Sequence, residues 1–312
     1  MQVPTLSPRT YRRLTFVAVC FVAFIIVTGG AVRITGSGLG CPDWPTCENN
    51  RVVAPAQYHA MVEFVNRTIT GVVSIAVIVA VLGAVRRRPR RRDLTWLSLG
   101  LVGGVIAQIV LGGLTVLFKL RPGFVMAHFM LSLALLADAV VLHHRAGLPD
   151  DGVTRPVVPA ELQAMARLVV FAAGLAVFLG TIVTGSGPHG GDPNVERLPW
   201  PVPDVARLHG IAVMLFLGAT LVTLLRLRKA GAPAALMRRG EALLAVSVAQ
   251  AAVGYLQYFT GVPVLLVGIH IAGATAVWAA AVSFLLGFTA RVAPVDALPD
   301  DPVEAAVQAQ SA

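Results

Sequence analysis

Long apolar stretches alternate along this chain with short connectors rich in arginine or in glycine and proline. Eight stretches stand out, near 14–34, 61–85, 94–118, 123–142, 165–184, 204–226, 240–260 and 263–290. With a helical rise of about 1.5 Å per residue, each is long enough to cross about 30 Å of hydrocarbon. The pattern therefore predicts an all-α integral membrane protein with eight transmembrane helices. The first stretch is too long for the apolar region of a signal peptide, and no A-x-A cleavage pattern follows it, so it is read as a helix.

Composition agrees with this reading. Of 312 residues, 56% are apolar and 13% charged, where a soluble domain would carry roughly 25% charge. The net charge of +9 raises nucleic acid as a partner. The basic residues sit in connectors between apolar spans, however, which points to anionic membrane lipid and away from nucleic acid. Eighteen of the 25 Lys and Arg fall on one side: at the N-terminus, in the even-numbered connectors and at Arg291. That side is expected to be cytoplasmic and to hold both termini, in a multi-pass protein of the cell membrane. Residues 293–312 are acidic with Pro and Ala, and are expected to form a disordered tail.

Cys41 and Cys47 lie in the first outward connector, within CPDWPTC. Outside the cytoplasm a disulfide persists, and Pro42 and Pro45 help turn the chain back on itself. A Cys41–Cys47 bridge is the expectation; two free thiols in a loop are the alternative. Cys20, inside the first span, reads as a small buried hydrophobe.

The chain repeats itself. Thr35-Gly36-Ser37-Gly38 closes the first span and Thr184-Gly185-Ser186-Gly187 the fifth. Gln108 precedes His128 by 20 residues, as Gln250 precedes His270, and Gly112 and Gly254 each follow their Gln by four. An even number of spans per repeat gives both halves the same orientation, related by an axis along the membrane normal. The prediction is two pseudo-symmetric four-helix bundles, residues 1–150 and 151–292. Gly103-Gly104 and Gly112-Gly113 are expected to serve close helix packing.

Three of the seven histidines lie inside spans: His128, His209 and His270. An imidazole in hydrocarbon is costly without a partner, so each is a functional candidate, with a helix–helix hydrogen bond as the plainer reading. His209 and His270 fall on the second and fourth helices of one half, near their outer ends. Two imidazoles facing one another across a bundle suit a six-coordinate haem iron. Zinc suits them less, because no Cys, Asp or Glu accompanies them at that depth. The position matching His209 in the first half is Asn66. Asn is a poor iron ligand, so the first-half site is expected to bind haem with one open or weak position. Glu63, one turn before Asn66, shares its helix face. It is a candidate for taking and giving protons, or else a salt bridge to Arg67 or a solvated helix start. Arg33, Arg67 and Arg207 are candidate partners for haem propionates, or interfacial side chains. His59, His189 and His143-His144 read as solvated, and Asp138 as a charge at the inner rim.

The run GGAVRITGSGLGCPDWPTC (29–47), the segment EFVNR (63–67) and the repeated intramembrane histidines resemble the haem A synthase family over nearly the whole chain. The resemblance implies an oxidoreductase that converts haem O to haem A for cytochrome oxidase, oxidising one ring methyl to a formyl group. It implies a haem b held by His209 and His270, and a substrate haem site in the first half with Asn66, Arg67 and His128. It implies Glu63 and His128 as catalytic, and a role for Cys41 and Cys47 in redox exchange or loop stabilisation. The family's usual E-x-x-H-R reads Glu63-Phe64-Val65-Asn66-Arg67 here. Haem O synthase and an unknown electron carrier follow as implied partners, with room for a homo-oligomer. An electron-transferring membrane cytochrome b is the alternative, and a transporter a third reading, against which the placing of the histidines toward one edge weighs.

Overall fold

A computed structural model describes residues 5–292; the expected tail at 293–312 lies outside them. Eight α-helices account for the apolar stretches: α1 (Pro8–Ile34), α2 (Tyr58–Arg86), α3 (Arg92–Leu117), α4 (Pro122–Ala146), α5 (Ala160–Ser186), α6 (Val202–Lys229), α7 (Ala234–Phe259) and α8 (Val264–Leu286). All eight are long and apolar enough to cross a membrane, at 23 to 29 residues. Their starts are marked by residues that cannot extend a helix backwards. Ser7 caps α1, its hydroxyl accepting from the Thr10 amide at 3.2 Å. Proline stands at or just before the first turn of α1, α4, α5, α6, α7 and α8, where its missing N–H costs nothing.

The helices form two rings of four. In the first, α1 packs on α2 and α4, and α3 on α2 and α4; in the second, α5 packs on α6 and α8, and α7 on α6 and α8. The rings meet where α1 and α4 lie against α8, and α4 against α5. This is the two-bundle architecture that the repeat predicts, and it extends to backbone detail. The α3–α4 turn passes through Lys119 and Leu120, both at positive φ, and the α7–α8 turn through Gly261 and Val262, also at positive φ. In each, the second residue's amide reaches back to a carbonyl five residues earlier, Leu120 to Thr115 at 2.8 Å and Val262 to Gln257 at 2.7 Å.

Each ring has its own apolar core. Val77, Leu101, Leu133 and Leu136 are buried in the first, and Val169, Leu243, Ala281 and Phe284 in the second. Trp278 on α8 packs against both, and its indole N–H donates to the Leu133 carbonyl of α4 at 2.8 Å. On the outside of the rings large apolar side chains are bare, among them Phe171, Leu215, Ile75 and Leu265. A surface of that kind is stable against lipid.

One element has no counterpart in the eight-helix expectation. Val153–Pro156, in the connector between the halves, forms an antiparallel ribbon β1–β2 with Thr289–Val292 after α8. At the same arginine-rich end, Arg87 is almost fully buried and donates to Asp150 and to the Pro89 carbonyl. Arg91 pairs with Asp93 at 2.7 Å and donates to the carbonyls of Arg145 and Leu148. The second and fourth connectors are thus joined by buried, hydrogen-bonded charge.

Candidate haem sites

The repeat places the intramembrane polar residues at similar depth. His209 stands seven residues after the start of α6, and His270 six after the start of α8. Asn66 stands eight after the start of α2, and His128 six after the start of α4. All lie toward the end of the bundle that carries the disulfide loop.

In the second ring the two imidazoles meet. His209 and His270 have ring centroids 6.4 Å apart with planes at 83°. Two metal–nitrogen bonds of about 2 Å on opposite sides of one iron, with the half-width of each ring added, span about 6 Å. His209 Nδ1 lies 2.8 Å from the Ala176 carbonyl, the outer hydrogen bond that fixes a ligating imidazole and leaves Nε2 for metal. Gln250 Nε2 lies 2.9 Å from His270 Nδ1 and 2.8 Å from the His270 carbonyl. As placed, the amide donates to both, so His270 Nδ1 accepts and its proton sits on Nε2; coordination through Nε2 would need Nδ1–H and a turned amide that gives up its bond to the carbonyl.

Glycine makes room for each ring. A Cβ at Gly180 would stand 3.2 Å from His209 Cε1, and one at Gly254 would stand 3.0 Å from His270 Cε1. The first ring keeps the second of these seats: a Cβ at Gly112 would stand 3.2 Å from His128 Cε1. The glycine four residues after each Gln therefore serves the histidine of the next helix. Gly180 had no repeat signal to reveal it.

The first ring differs in its polar partners. Gln108 donates to the His128 carbonyl at 3.1 Å but turns to Ser132 Oγ at 2.6 Å. The residue corresponding to Ser132 in the second ring is Ala274, which leaves Gln250 free to reach its imidazole. His128 Nδ1 and Asn66 Oδ1 are both buried without a hydrogen-bond partner. Buried polar atoms are rarely left so, and a catalytic role, a water or a bound group each account for such cases. The donor set of both rings fits haem iron, with two imidazoles in one ring and, at the repeat-related positions of the other, one imidazole and one amide.

Above the first ring lies the disulfide loop. Cys41 and Cys47 are bonded to one another and fully buried. Glu63 accepts from the Cys41 amide at 2.8 Å through Oε2, and from Arg67 at 2.6 Å through Oε1. Arg67 also donates to the carbonyls of Cys41 at 2.9 Å, Thr46 at 2.8 Å and Asp43 at 3.2 Å. The alternative weighed for Glu63, a bridge to Arg67, is thus formed, and Arg67 turns to the loop. Trp44 of the same loop rests on α3, where a Cβ at Gly113 would stand 2.6 Å from the indole. Neighbouring glycines on α3 therefore seat His128 and Trp44.

The disulfide-loop run and the segment holding Glu63, Asn66 and Arg67 fall within the match to the model of the cytochrome oxidase assembly protein family, at residues 12–59 and 52–188. The chain belongs to that family. Its similarity to curated relatives points the same way. Over 176 residues it is 28% identical to a heme A synthase of Shouchella clausii, covering 55% of this chain and 58% of that protein. Over 134 residues it is 31% identical to the heme A synthase of Lysinibacillus sphaericus, covering 42% and 44%. Over 133 residues it is 35% identical to that of Bacillus pumilus, covering 42% and 43%. The chain thus spans about half the length of the relatives it matches. His209 and His270 lie beyond the residues matched by the family model, and their pairing rests on the geometry above.

Other sequence expectations divide. Arg33 crosses between the halves, donating to the Thr184 carbonyl at 2.9 Å, while Arg207 is exposed beside Asp204. His59, though exposed, bonds Ser37 Oγ at 3.0 Å. His189 and His143 are only partly solvated, and each has a partner within the protein. The first is half-buried and meets the Val262 carbonyl at 2.9 Å, and the second meets Thr15 Oγ1 at 3.1 Å. Asp138 is half-buried and packs on α3, where a Cβ at Gly100 would stand 2.8 Å from Oδ2.

Proposed function

We propose that this family member is a haem A synthase: an oxidoreductase that takes haem O, oxidises one ring methyl to a formyl group and releases haem A for cytochrome oxidase. The observation that carries the reading is the pair His209–His270, its ring centroids 6.4 Å apart and its planes nearly perpendicular, with one imidazole anchored on Ala176 and both rings seated on glycine. The relatives named heme A synthase supply the reaction.

In this reading His209 and His270 would hold a haem b, which would supply electron transfer. The first ring takes the substrate, with His128 as the iron-holding imidazole and Asn66 across from it. When bound there, substrate haem supplies the redox-active iron. The protein holds that group between α2 and α4 beneath a loop fixed by Cys41–Cys47, Glu63 and Arg67, which keeps bulk water from the site. Glu63 is the nearby carboxylate available to exchange a proton, at the cost of its bond to the Cys41 amide or to Arg67. Trp44 anchors the loop on α3 at Gly113. The disulfide end faces outward and the arginine-rich end the cytoplasm, in the cell membrane. Haem O synthase supplies the substrate, and an unidentified carrier exchanges the electrons.

Haem extraction from protein purified in detergent tests this directly. Haem B together with haem O or haem A is expected. Haem B alone, in a protein that makes no haem A when supplied with haem O, would instead identify an electron-transferring cytochrome b.

A further inference from the structure

We propose that Asn66 leaves one face of the first-ring haem iron open, and that this face binds water as an exogenous ligand, which donates to the Asn66 Oδ1 and which carbon monoxide can displace as a probe. The proposal rests on the haem reading of that ring and adds a ligand site to it.

Three features hold His209 in place in the second ring: the Ala176 carbonyl on Nδ1, a bare Gly180 beside Cε1, and His270 opposite. The repeated Thr-Gly-Ser-Gly segments align α1 with α5. They set Ala31 at the place of Gly180, each four residues before its threonine, Thr35 and Thr184. The first ring thus has a methyl group where the second has none. A Cβ at Gly180 would already crowd His209 at 3.2 Å, so a histidine at 66 placed like His209 would have to shift. The wall of the first ring is shaped for a shorter side chain.

The side chain present is an amide whose Oδ1 is buried and unpartnered. Iron favours imidazole over amide oxygen, so Asn66 does not close the coordination sphere. It does carry both a donor and an acceptor, and polar groups on the open side of a haem govern which ligands bind there. Among the described residues nothing donates to this oxygen, and an iron-bound water would supply the missing donor.

The test uses detergent-purified full-length protein loaded with haem, reduced and titrated with carbon monoxide, and read by absorption and infrared spectroscopy. One carbon monoxide per chain is expected on a high-spin haem, beside an unreactive low-spin haem. Asn66→Leu should keep the binding, shift the C–O stretch and speed carbon monoxide release about tenfold, as loss of one hydrogen bond does. Asn66→His combined with Ala31→Gly should turn the first-ring haem low-spin and abolish carbon monoxide binding. The low-spin signal of the His209–His270 ring reports in every variant that the protein is folded. A first-ring haem that is low-spin and inert in the unaltered chain overturns the ligand site alone. So does an Asn66→Leu variant with an unchanged stretch and release rate. Absence of any first-ring haem overturns the haem reading and the ligand site together.

Discussion

The backbone amide of Cys41 and the carboxylate of Glu63 are joined by a 2.8 Å hydrogen bond, so the disulfide loop is tied to the membrane-spanning part of α2. Arg67 completes the tie by gripping Glu63 and three loop carbonyls together. Removing the arginine leaves a buried carboxylate and several carbonyls without their donor. Arg67→Ala should cost about 3 kcal/mol, the low end for breaking such a pair because Arg67 is partly exposed. The open-loop population should then rise about a hundredfold. Reduction of Cys41–Cys47 by an impermeant phosphine, followed by thiol labelling, measures this. An unchanged reduction rate would show that the loop holds without Arg67.

The glycine seats lead to a spectroscopic prediction. Gly254→Ala would place a methyl group 3.0 Å from His270 Cε1, and Gly180→Ala one 3.2 Å from His209 Cε1. Under the proposed haem ligation each should tilt an axial ring by a few tenths of an ångström and move the low-spin resonances. His209→Ala or His270→Ala should remove those resonances. Electron paramagnetic resonance of the oxidised protein decides, and unaltered spectra in all four variants would dismiss the pair as haem ligands.

Trp44 and Gly113 form a contact open to direct measurement. A side chain at 113 cannot coexist with the indole in its place. Gly113→Val should expel Trp44 into water and shift its emission to the red, with a Trp44→Phe background identifying the signal. The disulfide loop should loosen at the same time, with reduction at least several-fold faster. Emission that does not move would place the indole elsewhere.

At the arginine-rich end, Arg87 is 1% exposed and bonded to Asp150. Arg87→Ala leaves Asp150 with only its longer 3.9 Å pairing to Arg91 and takes the donor from the Pro89 carbonyl, and should destabilise the protein by about 3 kcal/mol. Thermal unfolding in detergent should show a lowered midpoint. Asp150→Asn, which retains a hydrogen-bonding group for Arg87, should lower it less. Equal effects would mean that the charge pairing with Asp150 carries the whole contribution of Arg87.

The eight helices were legible in the sequence because a membrane demands long, uninterrupted apolar runs, and the two rings because Gln108–His128 and Gln250–His270 repeat at one spacing. The disulfide was legible from the position of Cys41 and Cys47 in a connector. The Glu63–Arg67 bridge was legible as one alternative, but the loop carbonyls that Arg67 grips were not. An arginine at a membrane edge can turn to a bound anion or to loop carbonyls, and only the folded loop decides. His189 and His143 read as solvated because their partners, Val262 and Thr15, are remote in sequence. Gly180 was silent because its repeat mate is Ala31, and the β1–β2 ribbon because its two strands, of four residues each, have no alternating pattern to announce them.

That ribbon has a consequence for the second ring. By zipping Val153–Pro156 to Thr289–Val292 it brings the entry and exit of residues 153–292 side by side, like the two ends of a clasped bracelet. A new peptide link could join those ends with little distortion, and a fresh break could be opened in the Gly261–Val262 turn. The His209–His270 ring would survive such rewiring as long as the clasp stays shut.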